Sequence, residues 1–334
     1  MTKPIFISGM PRSGTKLLRD ILNNHSKVSI PDSETQFIPE FIRTFGLEYD
    51  FSKDNNVQAV LHRFHSTKFC LAQQKPRIEK INFRNTDSPL NWAVFLESIL
   101  RHYGVKTEVS ARFGDKTPGY ILHLSLLKKI WPDIKMVHII RDPRDYSASV
   151  RQAWGMSLRR AAHRWSSTME AATKYRQQYP DNYLEIHYED LLNDPDNAIE
   201  KICLFIGCDF EKDLSILNHA TENLGATRGH IGLVTTNKNK YKENLTQKEI
   251  QAVERLCCAT GKAMGYLNDP ALKELKLSSG QLLLLKLNDG ANALRFHCKE
   301  KDIIKGLRYF LKLHREGAFR GKAKQLQQRQ LLAG

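Results

Sequence analysis

The run Ile5-Phe6-Ile7-Ser8-Gly9-Met10-Pro11-Arg12-Ser13-Gly14-Thr15-Lys16-Leu17-Leu18 sets an anion-binding pattern between an apolar, strand-like stretch and a helix-forming one. Gly9 and Gly14 have the Gly-x-x-x-x-Gly spacing of a nucleotide phosphate loop, which would continue with Lys and then Ser or Thr. Here Thr15 precedes Lys16. The lysine that reaches the terminal phosphates and the hydroxyl that holds Mg²⁺ are each one place out. Backbone N–H groups and a helix N-terminus still face an anion, and Arg12 adds a fixed positive charge. A loop with its own cation and no placed Mg²⁺ ligand fits a phosphosulfate better than a triphosphate. The plainer alternative is a turn leading into a helix.

Three further clusters could do chemistry. Ile139-Ile140-Arg141-Asp142-Pro143-Arg144-Asp145 is followed by Ser149. Arginine suits phosphate through its planar donor fork. Asp142-Pro143 reads as a helix N-cap with proline at the first position. Ser149 then lies two turns along, on roughly the face of Arg141. The alternative is an Arg141 paired with Asp145. Gly114-Asp115-Lys116-Thr117-Pro118 presents a lysine in a short polar block, or a surface lysine in a turn. Ser33-Glu34-Thr35 presents a carboxylate, or an acid at a helix start.

In this order the blocks resemble the 3′-phosphoadenylyl-sulfate (PAPS) sulfotransferases, above all the protein-tyrosine sulfotransferase branch and bacterial sulfotransferases. The likeness takes in Pro11 to Thr15, Leu17-Leu18-Arg19, Leu22, His25, Ser33-Glu34-Thr35, Pro39, the Lys116 and Arg141 blocks, and His187-Tyr188-Glu189-Asp190-Leu191. It covers roughly residues 4–267. The resemblance implies that Arg12, Ser13, Gly14 and Thr15 cradle the 5′-phosphosulfate. Arg141 and Ser149 would hold the 3′-phosphate, with Tyr188 near the adenine or simply buried. Lys116 would stabilise the leaving oxygen, and Glu34 would be the general base. Arg12, Lys116 and Glu34 are thus the expected catalytic groups. Lys16 stands where a second Thr is usual; it adds a cation at the phosphate or points to solvent. The basic residues that follow the Glu in tyrosine-sulfating enzymes are replaced by Gln36 and Glu40, which argues against a peptide-tyrosine acceptor. A carbohydrate or glycolipid hydroxyl is favoured, with tyrosine or a small phenol as the alternative. PAP would be the co-product, and no metal is expected. A P-loop kinase and a non-catalytic PAP-binding module are the rival readings.

These residues need an α/β scaffold. Strand-like runs at residues 4–8, 135–140 and 183–187 alternate with helical patterns at 14–24, 89–103, 120–131, 142–154, 157–179, 196–206 and 246–264. The alternation predicts a P-loop-like parallel sheet flanked by helices, with ligands at the carboxyl ends of its strands. Residues 224–244 read as a long functional loop, with Arg228 and Lys242 among its candidate nucleotide contacts. His25, His138 and His187 are read as structural. A sulfotransferase domain over 1–267 would be followed by a basic, mostly helical extension over 268–334.

The chain has 334 residues and a net charge of +15. Its last 67 residues hold 14 Lys/Arg against 6 Asp/Glu, hence +8. The basic balance suits an anionic donor. A basic amphipathic pattern at 301–316 predicts a helix that packs on the main domain or docks on an anionic membrane surface. No nucleic-acid-binding pattern is present. The six cysteines have no metal spacing and read as buried reduced thiols. No run is long and apolar enough for a membrane span. The early first strand leaves no room for a signal peptide, so a cytoplasmic protein is expected.

Overall fold

The computed structural model describes residues 3–79, 90–106, 108, 110–221 and 227–301; side chains are described to residue 292. The expected basic helix at 301–316 lies outside the described residues. Among them, five strands form one parallel sheet: β1 (Ile5–Gly9), β2 (Val28–Ser29), β3 (Arg112–Lys116), β4 (Lys135–Ile140) and β5 (Tyr183–His187), in the order β2-β3-β1-β4-β5. The chain divides into two compact units. The first spans residues 1–146 and 165–240 and contains the whole sheet.

The period-two alternation of each strand feeds two cores. Phe6, Phe113, Met136 and Tyr183 face one side. There they meet α2 (Ile38–Phe45), α3 (Asp54–His65), α4 (Lys68–Leu71), α5 (Trp92–Tyr103), a 3₁₀ turn (Pro118–Leu122) and α6 (Leu124–Ile130). Ile5, Ile7, Val137, Ile139 and Ile186 face the other side with α1 (Thr15–Asn24). Each such side chain buried contributes roughly 1.5–3 kcal/mol. In α1, Leu17, Leu18, Ile21 and Leu22 recur at helical spacing and form the buried stripe.

After β4 the chain enters α7 (Pro143–Trp154) and α8 (Leu158–Gln178), each of which runs across the boundary between the units. After β5 come α9 (Tyr188–Asn193) and α10 (Pro195–Ile206). Asp194 caps α10 by accepting from the Asn197 N–H, with Pro195 at the first position and Gly207, in the left-handed region, ending it.

The second unit holds residues 147–164 and 241–334. Its described helices are the later part of α7, the first part of α8, α11 (Tyr241–Asn244), α12 (Gln247–Leu256), α13 (Cys258–Ala263) and α14 (Ser279–Lys301). Ala148, Tyr241 and Leu245 form a small core. Thr246 and Glu249 cap α12 reciprocally. Asp289 of α14 accepts hydrogen bonds from the Ser157 N–H (2.8 Å) and Arg160 Nη1 (2.6 Å). Among the described residues no helix is long and apolar enough to cross a membrane.

Two expected helices are broken in the structure. The pattern at 120–131 becomes a 3₁₀ turn and then α6, parted at His123, because Pro118 starts the turn and Tyr120 plunges into the core. The pattern at 246–264 parts at Cys257, whose Sγ donates to the Ala162 carbonyl. Strand β3 carries no alternating apolar signal. It exists because Gly114 lets the chain lie flush against β1: a Cβ there would sit 2.1 Å from the Ile5 carbonyl oxygen.

Candidate active site

The sheet order reverses between β1 and β4. From β1 the chain turns to β2 and β3 on one side, and from β4 to β5 on the other. Such a switch point opens a crevice at the carboxyl ends of the strands. The loop after β1 carries Arg12, Ser13 and Gly14 into it. The turn after β4 carries Arg141.

The β1 loop is built for close approach. Ser13 N–H donates to the Met10 carbonyl (3.1 Å), closing a turn. Arg12 (φ 74°) and Gly14 (φ 90°) are left-handed. For Arg12 this costs about 1–2 kcal/mol, a strain of the sort that collects at functional sites. Gly14 caps α1 with no side-chain hydrogen bond, so the positive end of the helix dipole faces the loop without a capping side chain. A Cβ on Gly14 would lie 2.4 Å from Tyr188 Cδ2; the Tyr188 ring occupies the place that a side chain would need. Thr15 is buried at the helix start and Lys16 is half-buried.

Arg141 is buried and does more than pair with Asp145, whose Oδ2 lies 4.0 Å from its Nη2. Its Nη1 donates to the Arg12 carbonyl (3.1 Å) and its Nη2 to the Asn237 carbonyl (3.0 Å). Its guanidinium carbon lies 4.7 Å from the centroid of the Tyr188 ring. Asn237 Nδ2 donates to the Tyr188 hydroxyl (2.9 Å). Arg12, Gly14, Arg141, Tyr188 and Asn237 therefore line one pocket, joined by His230. Ser13 Oγ and Arg141 Nε are buried in this region without a hydrogen-bond partner. Orphaned buried donors are uncommon, and an anion rich in acceptor oxygens would satisfy them.

The second cluster lies at the end of β3. Lys116 pairs in register with Ile7 and is 4 % exposed, not a surface lysine. The Ser8 hydroxyl donates to the Pro118 carbonyl (2.8 Å) and fixes the turn that follows. Lys116 Nζ donates to Glu34 Oε1 at 2.6 Å. Glu34 precedes α2 by four residues, outside the first turn, so it is not a helix-start acid. Gln36 Nε2 donates to Glu34 Oε2 (2.7 Å).

The remaining expected residues lie on other elements. Arg228 is exposed on a turn. Ser149, in α7, and the exposed Lys242, in α11, belong to the second unit. His25 is held by the Lys27 N–H and the Asp209 carbonyl. His138 contacts the Tyr183 hydroxyl, and burial drives its pKa down to about 3, with His187 adding to the effect. Sequence reasoning missed Asn237, Asp115 and Tyr120. Asn237 sits inside the loop expected to be functional, but a neutral residue among lysines gave no separate signal.

With this geometry in view, the chain belongs to the sulfotransferase family: a family model described as "Sulfotransferase family" matches residues 4–212. It is 26% identical over 242 residues to protein-tyrosine sulfotransferase 1 of Danio rerio, covering 69% of this chain and 59% of that protein. It is 22% identical over 215 residues to an uncharacterised protein of Aquifex aeolicus (strain VF5), covering 61% and 25%. The match thus spans about three fifths and about a quarter of the lengths of these two relatives, respectively. Among solved structures, the sulfotransferase domain from the curacin biosynthetic pathway aligns over 80% of this chain and 99% of that chain. The identity there is 18% and the TM-score 0.49.

Proposed function

We propose that this protein transfers a sulfuryl group from PAPS to a hydroxyl acceptor and releases PAP. The observation that carries the reading is the Lys116–Glu34 contact at the end of β3, beside the strand that leads into the anion loop. The buried, unpartnered Ser13 Oγ and Arg141 Nε fit a donor with many acceptor oxygens. The loop of Arg12, Ser13, Gly14 and Thr15, with Lys16 at its rim, holds the 5′-phosphosulfate. Arg141 holds the 3′-phosphate, with Ser149 as its sequence-implied partner, and Tyr188 borders the adenine. Arg228 and Lys242 are proposed as peripheral nucleotide contacts.

The acceptor oxygen attacks sulfur as the bond from sulfur to the bridging phosphate oxygen breaks. Glu34 takes the acceptor proton. Lys116, which has three N–H donors and spends one on Glu34, stabilises the charge that develops on the leaving oxygen. The sulfuryl unit carries less charge than a phosphoryl group, so protein cations suffice.

A carbohydrate or glycolipid hydroxyl is the favoured acceptor. Gln36 and Glu40 stand where basic residues would grip an acidic peptide; Gln36 bonds Glu34, and Glu40 pairs with Arg63. The name of the zebrafish relative supports tyrosine as the second reading. A screen with ³⁵S-labelled PAPS against an acidic tyrosine peptide, 4-nitrophenol and octyl glucoside separates the two. Label on the glucoside is expected; label on the peptide alone would install the tyrosine reading.

A further inference from the structure

The carboxylate of Glu34 sits on a distorted piece of backbone. Gln36 is left-handed, with φ 49°, and the Phe37 N–H folds back onto the Thr35 carbonyl. A glutamine gains nothing locally from that conformation, so the surroundings must hold it. Two buried side chains do so. Asp115 Oδ1 accepts from the Thr35 N–H (3.2 Å). The Tyr120 hydroxyl lies 2.8 Å from Thr35 Oγ1 and accepts from the Ile38 N–H (3.2 Å). The turn is thus pinned at Thr35 and Ile38, on either side of Gln36. Asp115 also precedes Lys116 on β3, so one strand end carries the cation and anchors the segment that bears its partner.

We infer that Asp115 and Tyr120 are positioning residues for sulfuryl transfer: they hold the strained turn that presents Glu34 to Lys116 and to the acceptor hydroxyl. The inference rests on the reading of Glu34 as the base. Asp115 is fully buried, and burial raises its pKa to about 6, offset in part by the nearby Thr117 hydroxyl, the hydrogen bond from Thr35 and the charge of Lys116. Burial also pushes the Tyr120 phenol well above its usual range, with the Asp115 charge acting the same way. The charge acting on Asp115 is that of Lys116 on its own strand; Tyr120, in the 3₁₀ turn, feels the charges of both Asp115 and Glu34.

Misplacing a reacting group by about 1 Å can cost on the order of 10²-fold in rate. The test uses the full chain, labelled PAPS and the best acceptor of the three-member panel. Asp115→Ala and Tyr120→Phe should each lower kcat roughly 10- to 100-fold while PAP affinity holds and the chain stays folded, with only a modest drop in melting temperature from the unpaired N–H groups. Asp115→Asn keeps an oxygen to accept from Thr35 and should restore most of the activity. In a Glu34→Gln background, Asp115→Ala should cost nothing further, because Asp115 acts through Glu34. An equal loss in both backgrounds would overturn the proposal and leave Glu34 as the base. Near-normal kcat in Glu34→Gln alone would instead remove the base reading. The ¹³C resonance of the Glu34 carboxyl, assigned by its loss in Glu34→Gln, needs no turnover. It should shift in Asp115→Ala and Tyr120→Phe and stay near its place in Asp115→Asn. An unmoved resonance in both disrupting variants, with the fold intact, means that these residues do not position Glu34.

Discussion

Lys116 Nζ donates a hydrogen bond to Glu34 Oε1 at 2.6 Å, joining residues 82 positions apart in the chain. Lys116 is nearly buried and Glu34 is about one-third exposed. The cation is therefore fixed by the sheet, while the carboxylate keeps one side open to an acceptor. This asymmetry suits their proposed roles: the stabiliser must be in place before the reaction, and the base must meet an incoming hydroxyl.

Glu34→Gln removes the proton acceptor and should lower kcat by about 10²–10⁴. Lys116→Ala should cost a similar factor. Neither residue lines the pocket of Arg141 and Tyr188, so PAP affinity measured by calorimetry should change little in both. A loss of PAP binding that parallels the loss of rate would show that the pair holds the nucleotide instead.

Gly14→Ala should damage the anion loop directly. Its φ of 90° disfavours any Cβ, and that Cβ would meet the Tyr188 ring at 2.4 Å. Destabilisation of more than about 1 kcal/mol is expected, with PAP affinity reduced as well. Thermal melts with and without PAP check both effects.

Arg141 and Asn237 should separate in a comparison of PAP with AMP. Arg141→Ala removes a charge-assisted contact of roughly 1.5–3 kcal/mol to the 3′-phosphate, so PAP should weaken while AMP changes less. Asn237→Ala keeps the backbone carbonyl that accepts from Arg141 but removes the side-chain hydrogen bond to the Tyr188 hydroxyl. Both nucleotides should then weaken together. Calorimetry of the two ligands on the two variants reads the difference.

The acid side of the stability profile should depend on His138. Burial lowers its pKa from 6.5 to about 3 in the folded chain. Between those values the unfolded chain binds a proton that the folded chain does not. The stability is complete above pH 6.5 and is lost as pH falls towards 3, by at most about 5 kcal/mol. Asp115 works in the opposite sense: its raised value favours the folded chain below pH 3.8, and that contribution fades as pH rises through about 6. His138→Asn should flatten the acid loss in urea titrations from pH 7 to pH 4.

Much of this was legible in the chain. The strands β1 and β4 carry strong apolar runs, and the blocks around Arg12, Lys116 and Arg141 lie within the residues that the family model matches. What was hidden depends on tertiary contact. Strand β3 reads as polar sequence because its pairing with β1, through Gly114, overrides weak local propensity. Asn237, Asp115 and Tyr120 act through hydrogen bonds to residues 49 to 85 positions away, and no local spacing encodes such partners. Glu34 was proposed by resemblance, but the left-handed Gln36 close to it could not be read from residue type, since glutamine rarely adopts it.

The most direct test of sulfuryl transfer is a stoichiometric one, run in the presence of EDTA. The full chain is incubated with ³⁵S-labelled PAPS and the acceptor panel, and labelled product and PAP are counted together. The account predicts one PAP released for each labelled acceptor, undiminished by the chelator and reduced about 10²-fold or more in Lys116→Ala. PAP that binds tightly while no acceptor gains label above the Lys116→Ala background would contradict it and mark the chain as a nucleotide-binding module. Transfer that EDTA abolishes and Mg²⁺ restores would contradict the metal-free chemistry assigned to Arg12, Lys116 and the loop N–H groups.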